Sequence, residues 1–81
     1  MGERFKLALS LQLRNGTGMT RDISTSGIFF ETERPYAIGD TIRLSLNLEH
    51  ETLQCEARVV RVEPGNGQFG IAVELTSYVF C

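Results

Sequence analysis

Residues 41–60, TIRLSLNLEHETLQCEARVV, decide the fold class of this chain. From Ile42 to Leu48 every second side chain is apolar, and the same alternation resumes at Leu53 after a short polar segment. A period of two is typical of half-buried β-strands, because successive side chains point to opposite faces of a sheet. The stretch therefore predicts two antiparallel strands joined by a turn near residues 50–51.

The same period recurs on both sides of this stretch, while no ten-residue window has convincing helical periodicity. Two adjoining apolar residues, Val59 and Val60, switch the alternation toward Val60 and Val62 and predict a β-bulge. Turn residues at Asn15-Gly16 and at 64–67 predict hairpins. The other predicted strands are residues 5–13, 19–23, 27–32 and 69–75, with a loop at 35–40 that has room for a single helical turn.

Six short antiparallel strands, each with one apolar face, predict an all-β fold with little or no helix. Closing such a sheet into a small six-stranded barrel removes its exposed edges. The chain has 81 residues and contains no linker or repeat, so residues 1–81 are expected to form a single domain.

The composition limits the classes of partner. The formal net charge is −2, whereas nucleic-acid-binding domains usually carry a basic surplus for phosphate contacts, so no DNA or RNA partner is expected. No apolar run is long enough to span a bilayer and no signal peptide is recognisable, so membrane insertion is not expected. Cys55 alternates with strand residues and is expected to be a buried thiol, and a reducing cytoplasmic location fits the chain best.

Neither catalysis nor metal binding is indicated. His50 is the single histidine and lies between two glutamates in a predicted turn, where no nucleophile–base–acid set can be built around it. Two cysteines and one histidine without clustered spacing do not make a zinc site. No Gly-rich phosphate loop of the nucleotide-binding types is present. We therefore expect a protein that is not an enzyme and that holds no metal or resident cofactor.

Residues 21–30, RDISTSGIFF, contain the most informative polar cluster. The Asp22 carboxylate can accept two donors, as from the N1–H and the exocyclic amine of a guanine, and the Ser24 hydroxyl can donate to a phosphate or ribose oxygen. Gly27 permits either a positive φ or a close approach of the backbone to a ligand. Taken alone, the cluster is more typical of an Asx or serine turn that satisfies its own backbone.

The whole chain from about Arg4 to Leu75 resembles a PilZ domain, the bacterial receptor module for the second messenger cyclic di-GMP. The family's [D/N]-x-S-x-x-G motif is matched by Asp22, Ser24 and Gly27. Segments resembling its other strands lie in the family's order, at residues 4–9, 38–40, 57–61 and 69–73. The resemblance implies a barrel that binds cyclic di-GMP through Arg4, Asp22, Ser24 and Gly27 and passes the signal to a protein partner or neighbouring domain.

One departure from the family concerns the R-x-x-x-R motif before the first strand. Arg4 occupies the position of the second arginine, and the first would fall one position ahead of Met1. Losing one charge-assisted contact costs about 1.5–3 kcal/mol, or about ten- to a hundred-fold in affinity. Three explanations are open. The chain is an excerpt of a longer protein cut inside the motif, or it is a complete protein that binds weakly, with Lys6, Arg14 or Arg21 partly replacing the lost charge. The third is a degenerate PilZ domain that has become a protein-interaction module.

Two functions remain open from the sequence. The first is a sensor of cyclic di-GMP whose N-terminal segment, bearing Arg4, folds over the ligand and presents a new surface to a partner. The second is a PilZ-like adaptor that binds protein and no nucleotide. It is suggested by Phe29 and Phe30, one of which must point away from the core of a regular strand.

Overall fold

The computed structural model describes residues 6–14 and 16–80, and these residues form strands and no helix. The all-β prediction is confirmed. The strands are β1 (Ser10–Leu13), β2 (Gly16–Ile23), β3 (Gly27–Thr32), β4 (Thr41–Asn47), β5 (Thr52–Pro64) and β6 (Phe69–Phe80).

The six strands close into one antiparallel barrel in the order β1-β2-β3-β6-β5-β4. Closure is made by β1, which pairs with β2 on one side and with β4 on the other, as in the pair Leu11–Leu46. Residues 33–40 cross from β3 to β4, which are not neighbours in the sheet. The predicted six-stranded barrel is confirmed.

The inward side chains of all six strands meet in one apolar core. The alternation that predicts β4 is visible in its burial, with Ile42, Leu44 and Leu46 buried between more exposed neighbours. Phe30 is fully buried and is the largest side chain of the core. The buried apolar residues are Leu11, Leu13, Ile28, Phe30, Ile42, Leu44, Leu46, Cys55, Ala57, Val59, Ile71 and Val73.

Three strand boundaries differ from the prediction. β1 begins at Ser10 and not at residue 5, because its partner β4 ends at Asn47, one residue beyond the Leu11–Leu46 pair. β2 begins at Gly16, which pairs with Leu13, so the predicted hairpin exists but Gly16 belongs to the strand. Phe5 and Asn15 lie outside the described residues. β6 continues to Phe80 and does not end at residue 75 as predicted, because its last residues pair with β5.

Of three register shifts among the described strands, two align the outward side chains in the wall that carries the polar cluster. The pairing of β5 with β6 skips Val60, which confirms the predicted bulge. The predicted inward orientation of Val60 is wrong, because the extra residue is exposed while Val62 packs against the core. A second bulge, which the sequence did not predict, leaves Arg21 unpaired in β2 and brings Asp22 opposite Phe29 of β3.

The loop at 35–40 contains a hydrogen-bonded turn and not a helical turn. The Asp40 amide donates to the Ala37 carbonyl at 3.0 Å, and the Ala37 amide donates to the Asp40 carboxylate at 2.9 Å. Gly39 has a φ of 96°, which a turn of type II requires at its third residue and which glycine adopts without strain. Among the described residues, no helix of a length and apolarity sufficient to cross a membrane is found.

Candidate functional site

The turn between β2 and β3 is organised by the Ser24 side chain. The backbone closes it, since the Ser24 amide donates to the Gly27 carbonyl at 2.9 Å. The Ser24 Oγ accepts from the amides of Ser26 and Gly27 at 3.3 and 3.2 Å. Ser24 therefore acts as the serine turn that the sequence offered as the alternative to a ligand contact. The Ser24 hydroxyl donates to the Gly27 carbonyl, with the two oxygens 3.2 Å apart, and a ligand oxygen would compete for this donor.

Gly27 lacks a side chain for a reason inside the barrel. Its φ is not positive, since Gly39 and Gly67 are the described glycines with that conformation. A Cβ at Gly27 would overlap the carbonyl oxygen of Val73 on β6. The close approach observed at this position is thus a contact between β3 and β6, and it allows the turn to lie against β6; the approach of a ligand to Gly27 stays a prediction. The Leu75 amide then donates to the Ser26 carbonyl at 3.0 Å.

Asp22 faces outward beside this turn. It is half-buried, and within residues 6–14 and 16–80 no hydrogen bond or ion pair engages its carboxylate. The bulge at Arg21 turns the Arg21 side chain to the outer surface, where it pairs with Glu31 at 2.9 Å. Arg21 is therefore a paired surface residue, as its alternation away from Asp22 predicts.

A row of outward side chains crosses four strands from Asp22. Asp22 pairs with Phe29 of β3, Phe29 pairs with Ala72 of β6, and Ala72 pairs with Arg61 of β5. Directly paired residues lie on the same face of a sheet, so these four side chains form one line on the outside of the barrel. Phe29, the aromatic residue that the sequence expected to point outward, lies at the middle of this line.

The row lies in an open groove of about 450 Å³. The β2–β3 turn forms one wall of the groove, residues 72–75 of β6 form its floor, and Val60 and Arg61 of β5 form the other wall. The groove thus contains Asp22, Ser24 and Gly27, so the three motif residues predicted as ligand contacts are brought together.

Arg4, the fourth predicted contact, lies outside the described residues. The segment that follows it is held close to the motif by Thr20, which is buried with 0% of its surface exposed. The Thr20 hydroxyl donates to the Leu7 carbonyl and accepts from the Leu9 amide at 2.8 Å. This clamp is two residues from Asp22 along β2 and attaches the residues that precede β1 to the strand that carries the motif. Lys6 belongs to the same segment before β1, and its side chain is exposed.

The charged side chains that line the groove give it an excess of one negative charge. Arg61, Asp22 and Glu74 line it, which is one cation against two carboxylates. Arginines in and beside the groove already contact glutamates, through the exposed pairs Arg58–Glu74 at 3.5 Å and Arg61–Glu63 at 2.7 Å. Exposed pairs of this kind contribute about 0–1 kcal/mol each, so a competing anion can displace them.

The remaining chemistry-bearing side chains lie away from the groove. Cys55 is buried in the core as predicted, and burial raises the pKa of its thiol, which keeps it protonated and unreactive. His50 is exposed in the turn after β4, 3.9 Å from the Glu49 carboxylate. In the part of the chain that the structure describes, no group of three or more His, Cys, Asp or Glu side chains is arranged to hold a metal ion.

The sequence matches the profile of the family described as PilZ domain over residues 3–78. The chain belongs to the PilZ domain family. PilZ domains are regulatory binding modules associated with cyclic di-GMP, and they often act through protein partners. Comparison with curated protein sequences gives no match.

A solved structure shares the PilZ barrel over nearly the whole length of this chain. It is the Bacillus subtilis Inhibitor of motility (MotI/DgrA), to which this chain is similar with a TM-score of 0.82 and 20% sequence identity. The likeness covers 98% of this chain and 43% of that protein, so the PilZ chain spans less than half the length of its structural relative. At this identity the likeness establishes the fold.

Two charged residues of the groove, Arg61 and Glu74, were not predicted from the sequence as site residues. Arg61 follows the bulge that the sequence predicts, and the bulge is what aligns it with Ala72. The pair Val59-Val60 is therefore the signal that could have found it. Glu74 had no such signal, because an outward glutamate near the end of a strand is ordinary surface.

Proposed function

We propose that this PilZ domain is a non-enzymatic receptor for cyclic di-GMP in the bacterial cytoplasm. The observation that carries the proposal is the outward Asp22 carboxylate, unengaged among the described residues and next to the Ser24 turn in an open groove. A carboxylate with both oxygens available matches the two adjacent N–H donors on one edge of a guanine. The Ser24 hydroxyl is the donor for the neighbouring phosphate or ribose. Gly27 has no side chain, so the ligand can approach the backbone at that wall of the groove.

The charge of the groove explains why the N-terminal segment is required. A cyclic dinucleotide carries two phosphate charges, whereas the groove lining adds no net positive charge. Phosphate recognition must therefore come from the residues before β1, where Arg4 supplies the planar guanidinium and Lys6 a second charge. Lysine lacks the planar fork of arginine, so Lys6 would contribute less to phosphate binding than Arg4.

The output would follow from ordering this segment. Thr20 already attaches Leu7 and Leu9 to β2, so ligand-induced ordering has to extend only from that clamp toward Arg4. A newly ordered segment beside the groove would form a surface for a protein partner or a neighbouring domain.

Calorimetric titration of the full-length protein with cyclic di-GMP tests the proposal. We expect saturable binding that Asp22→Ala and Arg4→Ala each weaken about ten-fold or more, since each removes a charge-assisted contact. Glu51→Ala, which removes an exposed carboxylate in the turn after β4, is the matched control and should bind as the wild type does. No detectable binding at high micromolar ligand would refute the receptor function.

One observation favours the second candidate, a PilZ-like adaptor that binds protein without nucleotide. Phe29 no longer supports it, because its ring is half-buried against β6. The end of β6 does support it, because Tyr78, Val79 and Phe80 are 58%, 61% and 53% exposed. An adaptor would bind its partner equally with and without cyclic di-GMP, and Val79→Ser would weaken that binding. Binding that depends on nucleotide would favour the receptor.

A further inference from the structure

We propose that Phe29 and Arg61 form a stacking platform for the second nucleobase of the ligand, at the end of the groove opposite Asp22. The inference rests on the proposed receptor function and adds a base-binding subsite outside the [D/N]-x-S-x-x-G motif.

The floor of the platform is the Phe29 ring. The ring lies across β6, where a Cβ at Gly70 would be 2.7 Å from the Phe29 Cζ atom. Ala72, the residue of β6 paired with Phe29, has a side chain too short to separate the ring from β5. The small residues at these two positions thus let an aromatic ring lie flat on the outer surface.

The upper layer is the Arg61 guanidinium. Its central carbon is 5.7 Å from the centroid of the Phe29 ring, within the range of a cation–π contact. The Arg61 Nε contacts Glu63 at 2.7 Å. The Nε–H bond lies in the guanidinium plane, so the contact with Glu63 occupies the edge of the group and not its faces. The guanidinium lies over the Phe29 ring, and the side chain remains 62% exposed.

The Glu63 contact also decides which part of a nucleotide Arg61 suits. A carboxylate at 2.7 Å compensates the charge of Arg61, so a phosphate would have to displace Glu63 before it could bind there. The ion pair with Glu63 does not cover the guanidinium plane of Arg61, and guanidinium planes stack on nucleobases. An arginine held between an aromatic ring and a carboxylate is therefore better suited to a base than to a phosphate.

The span of the row indicates a ligand with two bases. Three strand spacings of about 4.8 Å separate Asp22 from Arg61, or about 14 Å along the sheet. A single nucleobase cannot contact both ends, whereas a dinucleotide carries one base for Asp22 and one for the platform.

Three variants of the full-length protein, titrated with cyclic di-GMP, test the platform. Arg61→Ala removes both the planar guanidinium and its positive charge. Arg61→Lys keeps the positive charge but has no planar group. Phe29→Leu removes the aromatic ring that contacts Arg61. Arg43→Ala is the matched control, because Arg43 also forms an exposed cross-strand pair with a glutamate, Glu56 at 3.5 Å, away from the groove. Circular dichroism of each variant checks that the barrel is retained.

We expect both Arg61 variants to lose affinity about ten-fold or more, Phe29→Leu to lose several-fold, and Arg43→Ala to bind as the wild type does. In the wild-type complex, a nuclear Overhauser effect should connect a guanine H8 to the Arg61 δ protons.

Each other outcome is decisive. If the wild type binds and Arg61→Ala binds equally well, the platform is refuted and the receptor function stands. If Arg61→Lys retains the wild-type affinity, Arg61 acts as a charge and the platform is again refuted. If the wild-type protein does not bind cyclic di-GMP, both proposals are overturned.

Discussion

Single atoms decide much of the geometry around the β2–β3 turn. One Ser24 oxygen accepts two backbone amides, and the missing Cβ of Gly27 allows β3 to pass the Val73 carbonyl. Both residues belong to the family's motif, and both have roles in the fold that need no ligand. The motif therefore builds the wall of the groove as well as contributing its polar groups.

Replacing Gly27 with alanine tests this structural role. We expect Gly27→Ala to lower the free energy of unfolding by about 1–3 kcal/mol, because the added methyl group overlaps a backbone carbonyl that cannot move alone. Urea denaturation followed by circular dichroism measures the change.

Gly16→Ala is the control for this substitution. The nearest atom to a Cβ at Gly16 is the Arg34 Nε at 3.8 Å, an ordinary contact with a flexible side chain. We expect Gly16→Ala to leave stability unchanged or to raise it slightly, since alanine restricts the unfolded chain. Equal stability of the two variants would contradict the overlap at Gly27.

At the scale of secondary-structure elements, β2 connects the groove to the segment before β1. Its inward Thr20 is clamped to Leu7 and Leu9, and its outward Asp22 lies in the groove two residues later. The bulge at Arg21 separates these two functions, because it shifts the register by one residue between Thr20 and Asp22.

Thr20→Val removes the clamp and keeps the volume of the side chain. We expect a loss of about 1–3 kcal/mol in unfolding free energy, because a partly buried amide and a partly buried carbonyl lose their hydroxyl partner. Release of residues 6–9 should also increase tryptic cleavage after Lys6, which mass spectrometry of limited digests would detect.

Thr32→Val is the control for the clamp, because Thr32 is also buried and its hydroxyl donates to the Thr17 carbonyl at 2.9 Å within the barrel. It should lower stability without increasing cleavage at Lys6. Comparable cleavage in the two variants would show that Thr20 has no specific hold on the segment before β1.

At the scale of the whole molecule, the barrel is closed by its shortest strand. β1 has four residues and pairs with both β2 and β4, so the ends of the sheet are joined through very few side chains. Leu11 is fully buried at the centre of this closure and lies opposite Leu46.

We expect Leu11→Ala to lower the free energy of unfolding by about 2–5 kcal/mol, through lost burial and the cavity left behind. Val79→Ala is the comparison, because Val79 is exposed at the end of β6, and it should change stability by less than about 0.5 kcal/mol. Urea denaturation measures both. A loss below 1 kcal/mol for Leu11→Ala would mean that the barrel does not depend on β1 for closure.

The fold class could be read from the chain because a half-buried strand repeats every two residues. The alternation at Ile42, Leu44 and Leu46 and the adjoining Val59-Val60 pair predicted the strands and one bulge. The strand ends could not be read in this way. β1 begins where its antiparallel partner β4 ends, and β6 extends because β5 offers it a partner.

The candidate site divides in the same manner. The motif spacing predicted Asp22, Ser24 and Gly27 as site residues, because the chemistry of a turn depends on residues that are neighbours in the sequence. Only the tertiary structure could align Asp22 with Phe29 and Arg61, because that row depends on strand order and on two bulges. The sequence by itself determined an all-β chain with a polar turn that resembles a cyclic di-GMP motif. Barrel closure decided which distant side chains share a groove with that turn, because pairing between strands is set by long-range contacts.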